Sequence, residues 1–258
     1  MYDLPKTGIF AAQNLNMPEV KPYNMGDSSK KEEVRKMFNN IAPKYDLLNR
    51  LLSMGIDQQW RKKALRTLDG APVGQILDMA TGTGDLAIMA NKMYQPEKII
   101  GVDLAPNMLS IAEKKASKLQ MDGTIEFREG DAEQLPFEDG RFDAATVAFG
   151  VRNFGDLEKG LSEMRRVLKK GGRIVVLEFT MPRMFPFRQI YHGYFRYILP
   201  AIGKITSKDP KAYRYLYESV QAFPDYDRFT TVLEKVGFSE ARYKSLSLGI
   251  CAIYTGVK

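Results

Sequence analysis

The sequence predicts an α/β fold: a mostly parallel sheet with helices on both faces, finished by an antiparallel hairpin. Three observations carry this. From residue 75 short apolar runs alternate with helical stretches: QILDM before a helix over 84–93, KIIGVD before 106–119, TIEFREG, FDAATVAFG before 156–169, then RIVVLEF. Alternation at this spacing builds βαβ units. The first run empties into a glycine-rich turn at a helix entrance, Gly82-Thr83-Gly84. Two strand-like runs at the end, 238–248 and 249–257, are parted by little more than Gly249.

The elements follow in order. Residues 1–29 read as a polar lead-in, without the basic start and apolar stretch of a secretory signal. Helical spacing over 30–40 sets Val34, Met37 and Phe38 on one face, and over 57–68 Trp60, Ala64, Leu65 and Leu68. Pro106 stands where a first helical turn accepts proline, and Gly171-Gly172 is expected to close the helix 156–169. Residues 185–205 are aromatic and helical, interrupted by Pro200, with further helices near 210–221 and 225–236. One domain over 30–258 is expected: N-terminal helices (30–70), a sheet core (71–180), a helical lid (181–236) and a hairpin (237–258). The helices outside the core are positioned to cover the ligand edge of the sheet.

Composition bounds the chemistry. The 258 residues are 44% hydrophobic, which rules out wholesale disorder, and no apolar run approaches the ~18 residues that span a bilayer. Cys251 and His192 are the only residues of their kinds. No intrachain disulfide and no His/Cys zinc site is then available, a Ser-His-Asp triad is disfavoured, and a reducing cytosol is the expected home. Only carboxylates remain for any Mg²⁺, and no metal is assigned. The net charge of +7 is uneven: +4 over 1–70, −3 over 71–180 and +6 over 181–258. Basic flanks suit an anionic partner such as a membrane surface, nucleic acid or an acidic substrate; the plain alternative is a solubilising surface.

Charge also selects the ligand of the glycine turn. Gly82-Thr83-Gly84-Asp85-Leu86-Ala87 fits G-x-G-x-x-A, which serves many nucleotide sites and also serves as a bare strand-helix turn. Asp78 and Asp85 flank the glycines, and carboxylates there repel a pyrophosphate but attract an ammonium and a sulfonium. S-adenosyl-L-methionine carries both and is the expected cofactor. Asp103 ends the second strand, where a carboxylate accepts ribose hydroxyls. Asp131, in Gly130-Asp131-Ala132 after the third strand, is positioned to accept from the adenine amino group.

Further stretches resemble the C-methyltransferases of menaquinone and ubiquinone biosynthesis over roughly residues 30–258. Tyr45-Asp46-Leu47-Leu48-Asn49 with Ser53 and Trp60 is similar to the family's first signature, Y-D-x-x-N-x-x-x-S ending in H-x-x-W. Phe149-Gly150-Val151-Arg152-Asn153 resembles its FG-x-RN motif, Arg166 to Gly172 through Glu178 its second signature, and Tyr213 to Ser219 with Phe223-Pro224 its tail. Asp57 stands where the signature has His, Ala148 where relatives often carry a hydroxyl, and Lys170 where Pro is usual. The resemblance implies a class I adenosylmethionine-dependent methyltransferase (Rossmann-like) fold. It implies cofactor contacts at Thr81, Asp103, Asp131 and Ala132, beside Asp78, Gly82 and Gly84 of the turn. It further implies a polyprenylated demethylated quinol as substrate, faced by Arg152 and Asn153. Demethylmenaquinol is preferred over a ubiquinone-pathway benzoquinol.

Ring C-methylation needs a quinolate oxygen stabilised while carbon, methyl and sulfur align. Arg152 follows the fourth strand, where its guanidinium can hold the oxyanion, with Asn153 fixing the ring. Read without the resemblance, the same residues give an Arg–carboxylate surface pair and a turn-forming Asn. The proton acceptor stays open among His192, Tyr45, Asp46 and a carboxylate-activated water. Aromatic residues with Arg188, Arg196 and Lys204 over 185–205 suit a peripheral contact with the inner membrane face or a core-facing lid. The rival functions are an RNA methyltransferase, a non-catalytic cofactor-binding partner and a small-molecule O- or N-methyltransferase. No RNA-binding module is recognisable, so nucleic acid is not expected, and the sequence carries no signal of oligomeric state.

Overall fold

A computed structural model describes residues 19–53, 55–193 and 210–258. Seven strands form one sheet: β1 (Gln75–Met79), β2 (Lys98–Asp103), β3 (Ile125–Glu129), β4 (Phe142–Ala148), β5 (Leu168–Phe179), β6 (Ser239–Leu246) and β7 (Cys251–Val257). Their order is β3-β2-β1-β4-β5-β7-β6. The first five are parallel, and β7 runs antiparallel to both β5 and β6. Strands are added on one side of β1 and then on the other. That reversal opens a crevice at the carboxyl ends of β1 and β4, where such sheets bind ligands.

Strand parity sends side chains to two helical layers. Leu77, Met79, Ile100, Val102, Ala145 and Val147 pack under α6 (Leu157–Val167) and α9 (Asp227–Lys235). Ile76, Ile99, Ala144, Val175 and Leu177 pack under α3 (Asp57–Leu65) and α4 (Asp85–Tyr94). Pro106 opens α5 (Pro106–Lys118), which packs its Met108 against Ala42 and Ala105. Three further helices flank the crevice region or follow β5: α1 (Lys30–Ile41), α2 (Tyr45–Ser53) and α8 (Pro210–Ala222); α7 (Phe187–Gly193) follows the end of β5.

One expectation changes. The Gly171-Gly172 pair does not close a helix: α6 ends at Val167, and Leu168, fully buried, already pairs with Phe142 in the sheet. The glycines lie within β5 where the register shifts, Gly171 with φ +80°. Leu168 continues the apolar spacing of the helix, so periodicity alone ran the helix past its end. Residues 194–205 of the aromatic segment and 1–18 of the lead-in lie outside the described residues. Among the described residues no helix is long and apolar enough to cross a membrane.

Candidate functional site

The glycine turn is built by strained backbone. Ala80 and Phe149, neither of them glycine, hold left-handed conformations (φ +51° and +59°) at the ends of β1 and β4. Such strain persists where surroundings over-determine it. Gly150 is what lets these two loops meet, since a Cβ there would come within 2.5 Å of Ala80 Cβ. Together they wall a cleft of about 630 Å³, with Gly82, Asp103, Met108, Asp131, Ala132 and the α1 face carrying Lys31, Val34 and Phe38.

Asp103 is the cleft's open acceptor. Its carboxylate accepts the N–H of Gly82 at 2.8 Å and of Ala105 at 2.9 Å. Among the described residues it has no ion pair. Burial raises its pKa, against the pull of those N–H groups. Asp131 reaches the same cleft, yet Lys31 of α1 grips its carboxylate and also meets Glu133 at 3.1 Å. Gly82 and Ala132 line the cleft, but Asp78, Thr81 and Gly84 do not. Asp78 lies 1% exposed beneath the turn, accepting from Thr81 Oγ1 at 2.6 Å and Thr146 Oγ1 at 2.8 Å. Burial pushes it up to about 6. Gly84 (φ +80°) sits against Phe127, whose ring would be 2.9 Å from a Cβ.

Neither acid flanking the glycines is open to the cleft. Asp85 is not an open carboxylate: Lys115 pairs with it at 2.7 Å and with Asp46 at 2.5 Å. Asp46 also accepts from Thr83 Oγ1 at 2.6 Å, and it lines neither the cleft nor the cavity beside it. Of the carboxylates near the turn, Asp103 alone faces the cleft with its charge unmatched by a cation.

A second cavity of about 510 Å³ adjoins the first, lined by Asn49, Arg152, Asn153, Tyr215 and residues of α1. Phe38, Tyr45 and Asn153 line both. Asn153 is buried, its Oδ1 accepting from the Tyr215 hydroxyl of α8 at 3.0 Å. Arg152 is neither a surface residue nor wholly free. Nη1 donates to Glu178 Oε1 at 2.5 Å and to the Phe149 carbonyl at 2.6 Å, and Nε to Ser219 Oγ at 3.3 Å. The pairing expected without the resemblance thus exists, but in the interior. Nη2 makes no hydrogen bond among the described residues. Lys30 Nζ ties the turn down from outside, donating to the carbonyls of Arg152 (3.1 Å) and Phe154 (2.8 Å). Burial lowers it to about 8. Burial also raises the Tyr45 hydroxyl, so it stays protonated near neutrality. The His192 side chain is outside the described set.

Sequence reading singled out no role for Glu178, Tyr215 or Lys30. Glu178 and Tyr215 appear only as letters in signature stretches, and Lys30 reads as one of several surface bases.

The pattern of the ubiE/COQ5 methyltransferase family matches residues 26–258. The demethylmenaquinone methyltransferase of Bacteroides fragilis is 47% identical over 246 residues, covering 95% of this chain and 100% of that protein. The enzyme of the same name from Thermus thermophilus is 49% identical, covering 85% and 99%. A ubiquinone/menaquinone biosynthesis C-methyltransferase UbiE from a Geobacter species is 45% identical, covering 90% and 98%. Among solved structures, a SAM-dependent methyltransferase from Thermotoga maritima superposes with a TM-score of 0.62 at 21% identity, covering 86% of this chain and 99% of the other. That likeness establishes a class I methyltransferase fold.

Proposed function

Because the chain belongs to the ubiE/COQ5 methyltransferase family, we propose that it transfers a methyl group from S-adenosylmethionine to a ring carbon of a polyprenylated demethylmenaquinol. The names of the relatives at 42–49% identity support the substrate. One observation carries the geometry: two cavities share the wall formed by Phe38, Tyr45 and Asn153. A donor in one and an aromatic acceptor in the other meet across that wall.

The residues present suit the cofactor. Asp103 offers an acceptor already oriented by two N–H groups, as paired ribose hydroxyls require. Leu104, Met108 and Ala132 give an apolar slot for a flat base, with Asp131 at its edge. Bound S-adenosylmethionine supplies an electrophilic methyl on a cationic sulfur. The chain's part is to make the ring carbon nucleophilic and hold it in line. Arg152 lines the acceptor cavity while Glu178 and the Phe149 carbonyl fix its guanidinium through Nη1. That preorganised cation lowers the cost of a quinolate oxygen. Asn153, oriented by Tyr215, holds the ring.

Incubating the purified protein with labelled S-adenosylmethionine and both reduced quinols tests the reading, with mass fragmentation locating the methyl. Transfer to demethylmenaquinol at carbon supports it. Methylation only at oxygen, or only of the benzoquinol, overturns it. Arg152→Ala is expected to lower transfer by orders of magnitude while S-adenosylhomocysteine affinity, read by calorimetry, stays near wild type. Undiminished transfer by a folded variant would remove Arg152 from the mechanism.

A polyprenylated substrate resides in lipid, and two exposed apolar side chains support a docking point at the membrane surface. Met184 and Phe185 are 62% and 78% exposed beside the exposed Arg188. Apolar side chains flanked by bases suit an interface.

A further inference from the structure

Arg61 of α3 is a cation that the fold buries with only a long ion pair. It is 5% exposed, and its Nε finds no hydrogen-bond partner. Its one ion pair among the described residues is Asp57, a turn earlier, at 3.6 Å. Asp57 is itself engaged, accepting from Ser53 Oγ at 2.7 Å and Gln58 Nε2 at 3.2 Å. A guanidinium cannot shed its proton, and a buried charge without a close counter-ion is costly.

The guanidinium lies near the glycine turn. Its Cζ stands 5.2 Å from the centre of the Phe149 ring, which walls the cofactor cleft and not the acceptor cavity. Its field acts on Tyr45, Asp78 and Asp85, all at that turn. None of the acids there serves as its close partner. Asp85 and Asp46 are taken by Lys115, Asp78 by two threonines, and Asp103 by backbone.

We propose that Arg61 receives the α-carboxylate of the bound methyl donor. The inference rests on the cofactor reading above. With the ribose at Asp103 and the base among Leu104, Met108 and Ala132, the amino-acid tail runs the other way, past Gly82 toward α2 and α3. The carboxylate is the one anionic group of that ligand, and among the described residues Arg61 is the buried cation on that side lacking a hydrogen-bonded anion. Asp57, standing where the family signature has histidine, then orients Arg61 from the preceding turn and is a positioning residue.

Calorimetry with two ligands tests this. S-adenosylhomocysteine carries the carboxylate; its decarboxylated analogue, S-adenosyl-3-thiopropylamine, lacks only that group. The wild type is expected to prefer the first by about 10- to 100-fold, the range of a charge-assisted hydrogen bond. Arg61→Met should bind both ligands with similar affinity, the analogue as tightly as wild type does. Arg61→Gln, which keeps a donor toward Asp57, gives the same reading if the methionine variant does not fold. A wild-type preference retained in a folded neutral variant overturns the proposal, including where quinol methylation falls, which would turn Arg61 toward the acceptor. Failure of the wild type to bind either ligand removes the cofactor reading itself, and this inference with it.

Discussion

Asp78 shows what burial does to a carboxylate. Held at about 6 by desolvation, it is protonated more readily in the folded chain than in the unfolded one, where an Asp titrates near ~3.9. Its contribution to stability is therefore complete below pH ~3.9 and is lost as pH rises through 6, a change on the order of 2–3 kcal/mol. Asp78→Asn cannot ionise, so urea unfolding of that variant should lack this decline between pH 4 and 7. Burial raises the Glu178 pKa too, but this carboxylate is also the partner of a buried cation. Its removal strands Arg152, and Glu178→Ala is expected to cost roughly 3 kcal/mol in chemical denaturation. The gentler Glu178→Gln should lower methyl transfer while leaving S-adenosylhomocysteine affinity near wild type. Asp103 was legible because a strand end fixes where its side chain goes. Asp85 was misjudged because its partner Lys115 lies on another helix, 30 residues away. Arg61 was invisible for the same kind of reason. Beside Trp60 on a helix with lysines at 62 and 63, it reads as part of a solvated face.

At the scale of elements, α1 lines both cavities and ties the preceding segment to them. Ser29 and Glu32 form a capping box, and Glu33, fully buried, accepts the N–H groups of Tyr23, Asn24 and Met25 at 2.6–2.8 Å. The same helix presents Lys31 to Asp131, and Lys31, Val34 and Phe38 to the cleft. Burial alone would raise the Glu33 pKa; the three N–H bonds and Lys21 outweigh it and lower it. The stability Glu33 contributes is then present above the ordinary carboxylate value and lost only as acid reaches its lower folded value. Glu33→Gln should thus shift the acid-unfolding midpoint upward, as followed by circular dichroism. Ser29→Ala should cost about 1 kcal/mol. The extent of α1 was legible from its apolar spacing, as were α4 and α5. What joins α1 to the cleft was not, because those contacts span about a hundred residues and spacing reports only local geometry.

Over the whole molecule, the alternation of strands and helices announced the parallel half of the sheet, and the hairpin was legible from Gly249. The insertion of β7 between β5 and β6 was not, since no local pattern records which edge a hairpin joins. Charge distribution bears on function at this scale. Residues 181–258 carry +6 and include the exposed Met184 and Phe185. Binding to vesicles containing anionic lipid should weaken as salt rises, and Phe185→Asp should reduce co-sedimentation severalfold without altering the melting temperature. Salt-independent binding, or an unaffected variant, would count against docking there.

The position of β7 also dictates an order of assembly. It follows β6 in the chain, yet it fills an interior place, pairing along β5 from Arg173↔Val257 to Phe179↔Cys251. Until it emerges from the ribosome, β5 offers a bare, strongly apolar margin to any neighbouring nascent chain. A polypeptide cut just before Cys251 should accordingly be recovered in inclusion bodies rather than as a weakened enzyme.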